Sequence, residues 1–524
     1  MIIGVFQFWL NAQQLAIIPK PQLVEIQNGL FELSEKTKII VPDGCDFEMS
    51  FLKERISELY KIELIENKRV KTKGSFIQFE YLKGVYENDY KLKIDNAGVH
   101  ISGPSRTSFF YGIQTLLQII ESCKEADKIM LPYCEIHDFP NYKWRGMHLD
   151  VSRHFFSVSE IKKYLDYMAL YKMNVFHWHL TDDQGWRIEM KEFPELTNIG
   201  AVRSGNMIGH YREQKFDTLS YGGFYTQEEI KEIIQYASER NITIVPEIEM
   251  PGHSLAAIAT YPHLSCNKQP LEVGVKWGVY EDVYCAGNDS VFIFLEQILK
   301  EVITLFPGDY IHIGGDECPK SKWKNCPKCQ QRIQNEQLQN EQELQSYFIQ
   351  RIEKFFNENG KKIIGWDEIL EGGLAPNAAV MSWRGEEGGI EASQMNHFVV
   401  MTPGRPCYFD HYQVEKTEFE PIAIGGLNTL RDVYYYNPIP DELNEKFKHF
   451  ILGAQGNVWT EYMSTFKQVE YMALPRMAAL SEVLWGTSNP NDYNDFLKRL
   501  NIQIILLDFW NANYCKHFKS EINE

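Results

Sequence analysis

The feature that most constrains this chain is a rhythm running from residue 144 to residue 461. Short apolar runs end in polar, glycine-rich or charged tips and alternate with helical segments. Eight such runs can be read: WRGMHLDVSR (144–153), NVFHWHLTDD (174–183), ITIVPEIEMPGH (242–253), YIHIGGDE (310–317), KIIGWDE (362–368), AVMSWRG (379–385), FVVMTPGRPCYFD (398–410) and ILGAQGNVWTE (451–461). Between them lie helical patterns such as SVSEIKKYLDYMALYKM, whose Ser-Val-Ser-Glu start suits an N-cap. Strand then helix, repeated eight times, predicts an α/β protein built on a (β/α)8 TIM barrel. The polar groups sit at the C-terminal tip of every run, the face on which barrels build their sites.

The remainder divides around that barrel, predicted over 139–490. Residues 17–138 read as a small α+β domain, with a hairpin signal in YKLKIDNAGVHISG and helical spacing in SRTSFFYGIQTLLQIIES. The proline-bearing EIHDFPNYKW marks the boundary. Residues 491–524 are expected to form a helical segment packing on the barrel, and the Gln-rich CQQRIQNEQLQNEQELQ a solvated helix. The apolar run IIGVFQFWL (2–10), followed by NAQQ, is too short to span a bilayer. It reads as a secretory signal lacking its basic start, within an extension over 1–16, and so predicts a periplasmic or extracellular protein.

Composition narrows the partners. With 44% hydrophobic residues the chain can bury a large core, while a formal charge of −18 repels nucleic acid and anionic membrane surfaces. Ten cysteines in 524 residues are too sparse for a disulfide scaffold.

At the fourth tip, Asp316 and Glu317 can both turn toward one pocket where the strand passes into its loop. Two close carboxylates push their pKa values apart, leaving one charged and the other able to carry a proton. Trp366, Trp383, Tyr408 with Asp410, and Trp459 with Glu461 stand at other tips. Aromatic faces and carboxylates that accept hydroxyl hydrogen bonds suit a sugar pocket. His177 and His179, with Asp182 and His253, offer a rival reading as a metal-dependent barrel hydrolase. Cys326 and Cys329 form CPKC close to Cys318, but no second CxxC follows, so a disulfide or free thiols are expected there rather than zinc.

GMHLDVSRHFF, NVFHWHLTDDQGWR, PEIEMPGH, HIGGDE, GWDEIL, SWRG and GNVWTE, in this order, resemble glycoside hydrolase family 20, the β-N-acetylhexosaminidases. The likeness covers about 140–490 and extends to the preceding α+β domain. It implies exo-acting, retaining hydrolysis of terminal β-linked N-acetylglucosamine, with N-acetylgalactosamine as a further substrate, in which the substrate's own 2-acetamido oxygen attacks the anomeric carbon to form an oxazolinium. It also implies no cofactor and no catalytic metal. Glu317 then matches the general acid/base, and Asp316 the group that orients the acetamido and balances charge on its nitrogen. Tyr408 matches a donor to the acetamido oxygen, and Trp366, Trp383 and Trp459 the walls of the sugar site. Arg153, Asp410 and Glu461 match residues holding ring hydroxyls, and Asp182 and His253 a relay to the acid. Glu249 stands where many members carry Asp, and the cysteine-bearing loop after Glu317 departs from the pattern. Lacto-N-biosidase-type release of a disaccharide, the metal-dependent hydrolase and a non-catalytic glycan-binding protein remain as alternatives. The oligomeric state has no signature in the sequence.

Overall fold

The structure is a computed structural model that describes residues 15–67, 75–83, 88–125, 128–486 and 492–522. The apolar run 2–10 read as a trimmed signal lies outside the described residues. The described residues form two compact units, one of residues 142–484 with 513–515, the other of those between 15 and 141, 485 and 512, and 516 and 522.

The larger unit is a closed barrel of eight parallel strands: β1 (Trp144–Asp150), β2 (Val175–His179), β3 (Thr243–Met250), β4 (Tyr310–Gly314), β5 (Lys362–Trp366), β6 (Ala379–Ser382), β7 (Val399–Met401) and β8 (Ile451–Gly456). Each corresponds to one of the eight runs, and β8 closes on β1 through the pairs Gly453↔Trp144 to Gly456↔Met147. Parallel strands are covered on both faces, so β1, β2, β6 and β7 are buried at every residue. The helix after β1, Val158–Leu170, starts at Ser157, which accepts from Glu160 N while the Glu160 side chain accepts from Ser157 N.

The barrel interior changes character along its length. An apolar cluster that includes Trp144, Val175, Val245, Ile364 and Val400 fills one level. Because strand faces alternate with period two, the residues two and four further on share that inward face. In β2 these are His177 and His179, in β3 Glu247 and Glu249, and in β1 Gly146 and His148, all buried. Above its apolar plug the barrel therefore holds a polar layer directly beneath the strand tips.

The smaller unit is a mixed sheet flanked by helices. Its strands run in the order Leu23–Leu33, Lys128–Asp138, Tyr90–Ile94, Gly98–Gly103, Phe76–Tyr81, Lys38–Ile40 and Ile65–Glu66, with Lys124–Glu125 paired to the second. The hairpin forms as expected: Ile94 pairs with Val99, and Asp95 N donates to Gly98 O at 3.0 Å. Helix Arg106–Ser122 is buried almost throughout, with Ser105 accepting from Ser108 N at its start.

Two expectations need correction. The C-terminal helix Tyr493–Phe509 packs against helix Arg106–Ser122 of the smaller unit, and its Arg499 donates to Ile17 O at 2.7 Å. It is buried through Leu497, Leu500, Ile504 and Leu507, an apolar stripe that identifies a helix but not its partner. The Gln-rich segment is not one solvated helix. It breaks at Glu336–Asn340 into Pro327–Asn335 and Glu341–Glu358, and Asn340 caps the second by accepting from Gln342 N and Glu343 N.

Candidate active site

β4 ends in two left-handed glycines, Gly314 (φ +66°) and Gly315 (φ +95°). A Cβ on Gly314 would run into the Glu249 carboxylate, and one on Gly315 would lie 2.5 Å from Ile369 Cγ2. Only glycine makes this turn in this space, and the turn brings both following side chains to one side. Glu317 is itself left-handed (φ +43°), as is His253 (φ +45°), the group it faces. Strained backbone of this kind persists only where the surroundings hold it.

All eleven candidate residues line one cavity of about 520 Å³: Arg153, Asp182, His253, Asp316, Glu317, Trp366, Trp383, Tyr408, Asp410, Trp459 and Glu461. The aromatic wall is continuous. Trp366 and Trp459 have centroids 5.8 Å apart, Trp459 and Tyr408 6.5 Å, and Tyr408 lies nearly parallel to Trp383 at 6.1 Å. Arg153 stacks on Trp459 at 5.1 Å. Trp383 Nε1 donates to Glu368 at 2.8 Å, a buried carboxyl pushed up to about 8 by burial and then by the charge of Asp316.

A chain of charged groups leads into the carboxylates from below. Glu247, at the centre of the polar layer, accepts from Trp366 Nε1 at 2.9 Å and bonds His179 Nδ1. Burial opposes charge on His179, but Glu247 and Asp182 raise it to about 10, so both ring nitrogens donate. Its Nε2 reaches Asp182 at 2.9 Å, and Arg153 reaches the same oxygen at 2.8 Å. Asp182, held far below the usual carboxylate range despite its burial by Arg153 and His253, lies 3.2 Å from His253 Nδ1, as does Asp183. Those acids hold His253 as an imidazolium against the cost of burial. Its Nε2 stands 3.5 Å from Glu317 and 3.7 Å from Asp316.

One imidazolium therefore faces two unlike carboxylates. Glu317 is 45% exposed at its side chain, and the hydrogen bond with His253 lowers its pKa. Asp316 is 11% exposed; burial pushes it up to about 7, with the charges of Glu247 and Glu317 adding to the effect. The sequence expectation had Asp316 charged and Glu317 protonated, whereas in the protein alone the shifts run the other way, Asp316 raised and Glu317 lowered. Depth in the pocket is the reason, and adjacency in the chain does not encode it.

Asp316 Oδ1 and Asp410 Oδ1 are buried and have no hydrogen-bond partner among the described residues. Burial, with Glu461 beside it, keeps Asp410 well above its ordinary range. Such acceptors are complete only when a ligand brings N–H or O–H groups. In the layer beneath, His179 entered the sequence reading only as a metal candidate and Glu247 not at all, although period-two alternation points both strand residues inward; Asp183, in the turn after them, was missed as well. Gln345 was missed too: its Nε2 donates to Gly315 O at 2.7 Å, and no pattern in that polar segment marks it. His177 lies in the polar layer, completely buried and outside the cavity lining.

Residues 142–488 match the family described as "Glycosyl hydrolase family 20, catalytic domain", and residues 14–139 match "Glycosyl hydrolase family 20, domain 2". A beta-hexosaminidase of Porphyromonas gingivalis is 46% identical over 507 residues, covering 95% of this chain. The chain spans only 64% of the length of that relative. The crystal structure of a beta-N-acetylhexosaminidase from Bacteroides fragilis superposes with a TM-score of 0.81 at 31% identity, covering 97% of this chain and 98% of that one. A Vibrio harveyi exo beta-N-acetylglucosaminidase, solved with N-acetylglucosamine, gives 0.85 at 31% identity, with 96% and 78% covered. The double-glycine turn, the paired acids behind it and the ring of tryptophans thus stand within a match that runs through both domains, and the chain belongs to glycosyl hydrolase family 20.

Proposed function

We propose that the protein is an exo-acting, retaining β-N-acetylhexosaminidase that removes terminal β-linked N-acetylglucosamine, and also N-acetylgalactosamine, from glycans or chitooligosaccharides outside the cytoplasm. The observation that carries this reading is the pair Asp316 and Glu317, adjacent in the chain and served by one imidazolium inside an aromatic box. Two carboxylates acting as acid and nucleophile must flank the scissile bond from opposite faces of the sugar. Neighbours on one turn, within 3.7 Å of the same nitrogen, are poorly disposed for that. They suit a reaction whose nucleophile comes with the substrate.

In this reading the acetamido N–H donates to Asp316 Oδ1, an acceptor without a partner among the described residues. That bond favours the Asp316 anion, while a leaving group placed over Glu317 removes it from water and raises its pKa. Substrate thereby moves the proton of the pair from Asp316 to Glu317. Glu317 protonates the departing oxygen as the acetamido oxygen closes on the anomeric carbon, and Asp316 balances the charge developing on nitrogen. An interaction that strengthens as charge develops favours the transition state over the bound sugar. Glu317 then takes a proton from the water that opens the oxazolinium ring. Arg153, Asp410 and Glu461 hold the ring hydroxyls, and Tyr408 donates to the acetamido oxygen.

The reading is tested with aryl β-glycosides of GlcNAc, GalNAc, 6-sulfo-GlcNAc and lacto-N-biose, assayed with and without a thiazoline mimic of the oxazolinium. Release from GlcNAc and GalNAc, blocked by the thiazoline, is the expected result. Release from lacto-N-biose alone would reassign the enzyme as a disaccharide-releasing one, and turnover untouched by the thiazoline would remove acetamido participation. The metal-dependent alternative fares poorly on geometry, because both nitrogens of His179 are engaged by Glu247 and Asp182 and His177 does not reach the cavity. Loss of turnover on exhaustive chelation with the melting temperature unchanged, restored by a divalent metal, would revive it.

A further inference from the structure

Behind the carboxylate turn, two loops meet at sulfur. Cys266 and Cys285 come from the loop after β3, where Ser265 and Tyr284 pair as an antiparallel bridge and set the two cysteines side by side. Cys326 and Cys329 come from the loop after β4, Cys326 as the N-cap of helix Pro327–Asn335 and Cys329 in its first turn. The four sulfurs lie within 4.8 Å of one another. Cys285 Sγ is 3.6 Å from that of Cys329 and 3.7 Å from that of Cys326, and Cys266 Sγ is 3.8 Å from that of Cys329. Cys285, Cys326 and Cys329 are buried. Cys318, the residue next to the general acid, is not among them.

We propose that Cys266, Cys285, Cys326 and Cys329 form a structural tetrathiolate zinc site, which fastens the loop carrying His253 to the loop carrying Asp316 and Glu317. A tetrahedral ion with Zn–S bonds of about 2.3 Å separates its sulfurs by about 3.8 Å, the spacing found here. A disulfide joins sulfurs in exclusive pairs, whereas Cys285 and Cys329 each stand nearly equidistant from two others. Neutral thiols are weak donors and acceptors and gain little from burial together. Thiolates at the start of a nine-residue helix are favoured by its free N–H groups.

The packing around the cluster serves the same end. Trp323, fully buried between Cys318 and Cys326, donates from Nε1 to Tyr284 O at 2.9 Å. Gly287 lies so close to the backbone of Lys328 and Cys329 that a Cβ would not fit. Four protein ligands leave no open position, so the ion holds the loops and takes no part in hydrolysis. The sequence reading set zinc aside because no second CxxC follows CPKC. The partners of CPKC are 19 residues apart in another loop, and only the Ser265–Tyr284 bridge makes them neighbours.

The test is metal analysis of the full chain, purified without chelators, reduced, equilibrated with zinc chloride and dialysed into zinc-free buffer. We expect about one zinc per chain, released by a mercurial that caps the thiols and replaceable by cobalt with the visible spectrum of a tetrahedral thiolate site. Cys329→Ser and Cys266→Ser should lose the zinc and melt at lower temperature, while Cys45→Ala, in the smaller unit, should keep it. The wild-type protein decides the matter even where variants fail to fold. Substoichiometric zinc after reconstitution would overturn the proposal, as would iron in its place, or two disulfides among these cysteines in peptide mapping of the protein as first isolated.

Discussion

Burial decides which of the two acids keeps its proton. Between their macroscopic pKa values the pair Asp316 and Glu317 holds one proton, and in the proposed mechanism that form is the one able to react. The lower value belongs with Glu317, depressed by His253, and the upper lies near 7, where Asp316 is held. kcat/KM should therefore rise with pH at the acid end and fall as pH passes about 7. Asp316→Asn leaves Glu317 as the sole titrating partner, so the alkaline limb should move acidward by more than about one unit. An alkaline limb that stays in place when kcat/KM is followed from pH 3 to 9 would assign it to another group. At the pH optimum, Asp316→Asn and Glu317→Gln should each lower kcat by about 100-fold or more, on the order of 3 kcal/mol. Near-native turnover by either variant on an aryl GlcNAc substrate would cancel its role. The sequence identified these residues because carboxylates and tryptophans at strand tips carry their own chemical signature. It could not rank their proton affinities, which follow from a difference in exposure, 11% against 45%.

The elements that carry the site differ in how much of them a sequence reveals. The eight strands were legible because strands covered on both faces are apolar runs, and their polar tips stand out against them. The second helix of the Gln-rich segment was not, since what it contributes is a buried amide. Gln345, on helix Glu341–Glu358, donates to Gly315 O at 2.7 Å and accepts from Lys320 Nζ, so it grips the carboxylate turn at both ends. Gln345→Ala leaves the Gly315 carbonyl short of a partner in a buried place, a loss of about 1–3 kcal/mol in folding stability. Because the turn sets the position of both acids, kcat should also fall, roughly tenfold, with KM little changed. Chemical denaturation and steady-state kinetics on the same preparation separate the two effects. A stability loss with full kcat would mean that Gly314, Gly315 and the packing of Ile369 hold the turn unaided. The C-terminal helix teaches the same lesson, since its apolar stripe was plain and its partner was not.

At the scale of the whole molecule, the site has a cost in stability that pH should expose. Asp316 at about 7 and Glu368 at about 8 bind protons more tightly in the fold than in an unfolded chain, where carboxyls titrate near 4. Asp183, Glu249, Asp410 and Glu461, all raised first of all by burial, act in the same direction. For such groups the native state carries more protons than the unfolded state between the two pKa values, so stability falls as pH rises through that window. Asp182, depressed by Arg153 and His253, has the opposite sign, but its contribution is lost only as pH falls below the unfolded value near 4. The barrel should accordingly melt at a higher temperature at pH 5 than at pH 8. Asp316 alone contributes on the order of 2–3 kcal/mol to that difference. The formal charge of −18 gives a slope of the same sign through general repulsion, so the wild-type curve by itself does not isolate the site. Asp316→Asn does, because it removes one buried titrating group and changes the net charge by a single unit. Its melting temperature should exceed that of the wild type at pH 8, and the gap should narrow toward pH 5 as Asp316 in the wild type takes up its proton. Parallel curves across that range would show that Asp316 ionises without penalty in the fold. A gap that narrows as expected would instead mean that the group proposed to balance charge in the reaction destabilises the resting enzyme, the trade expected when a site is built for a charge that appears only during turnover.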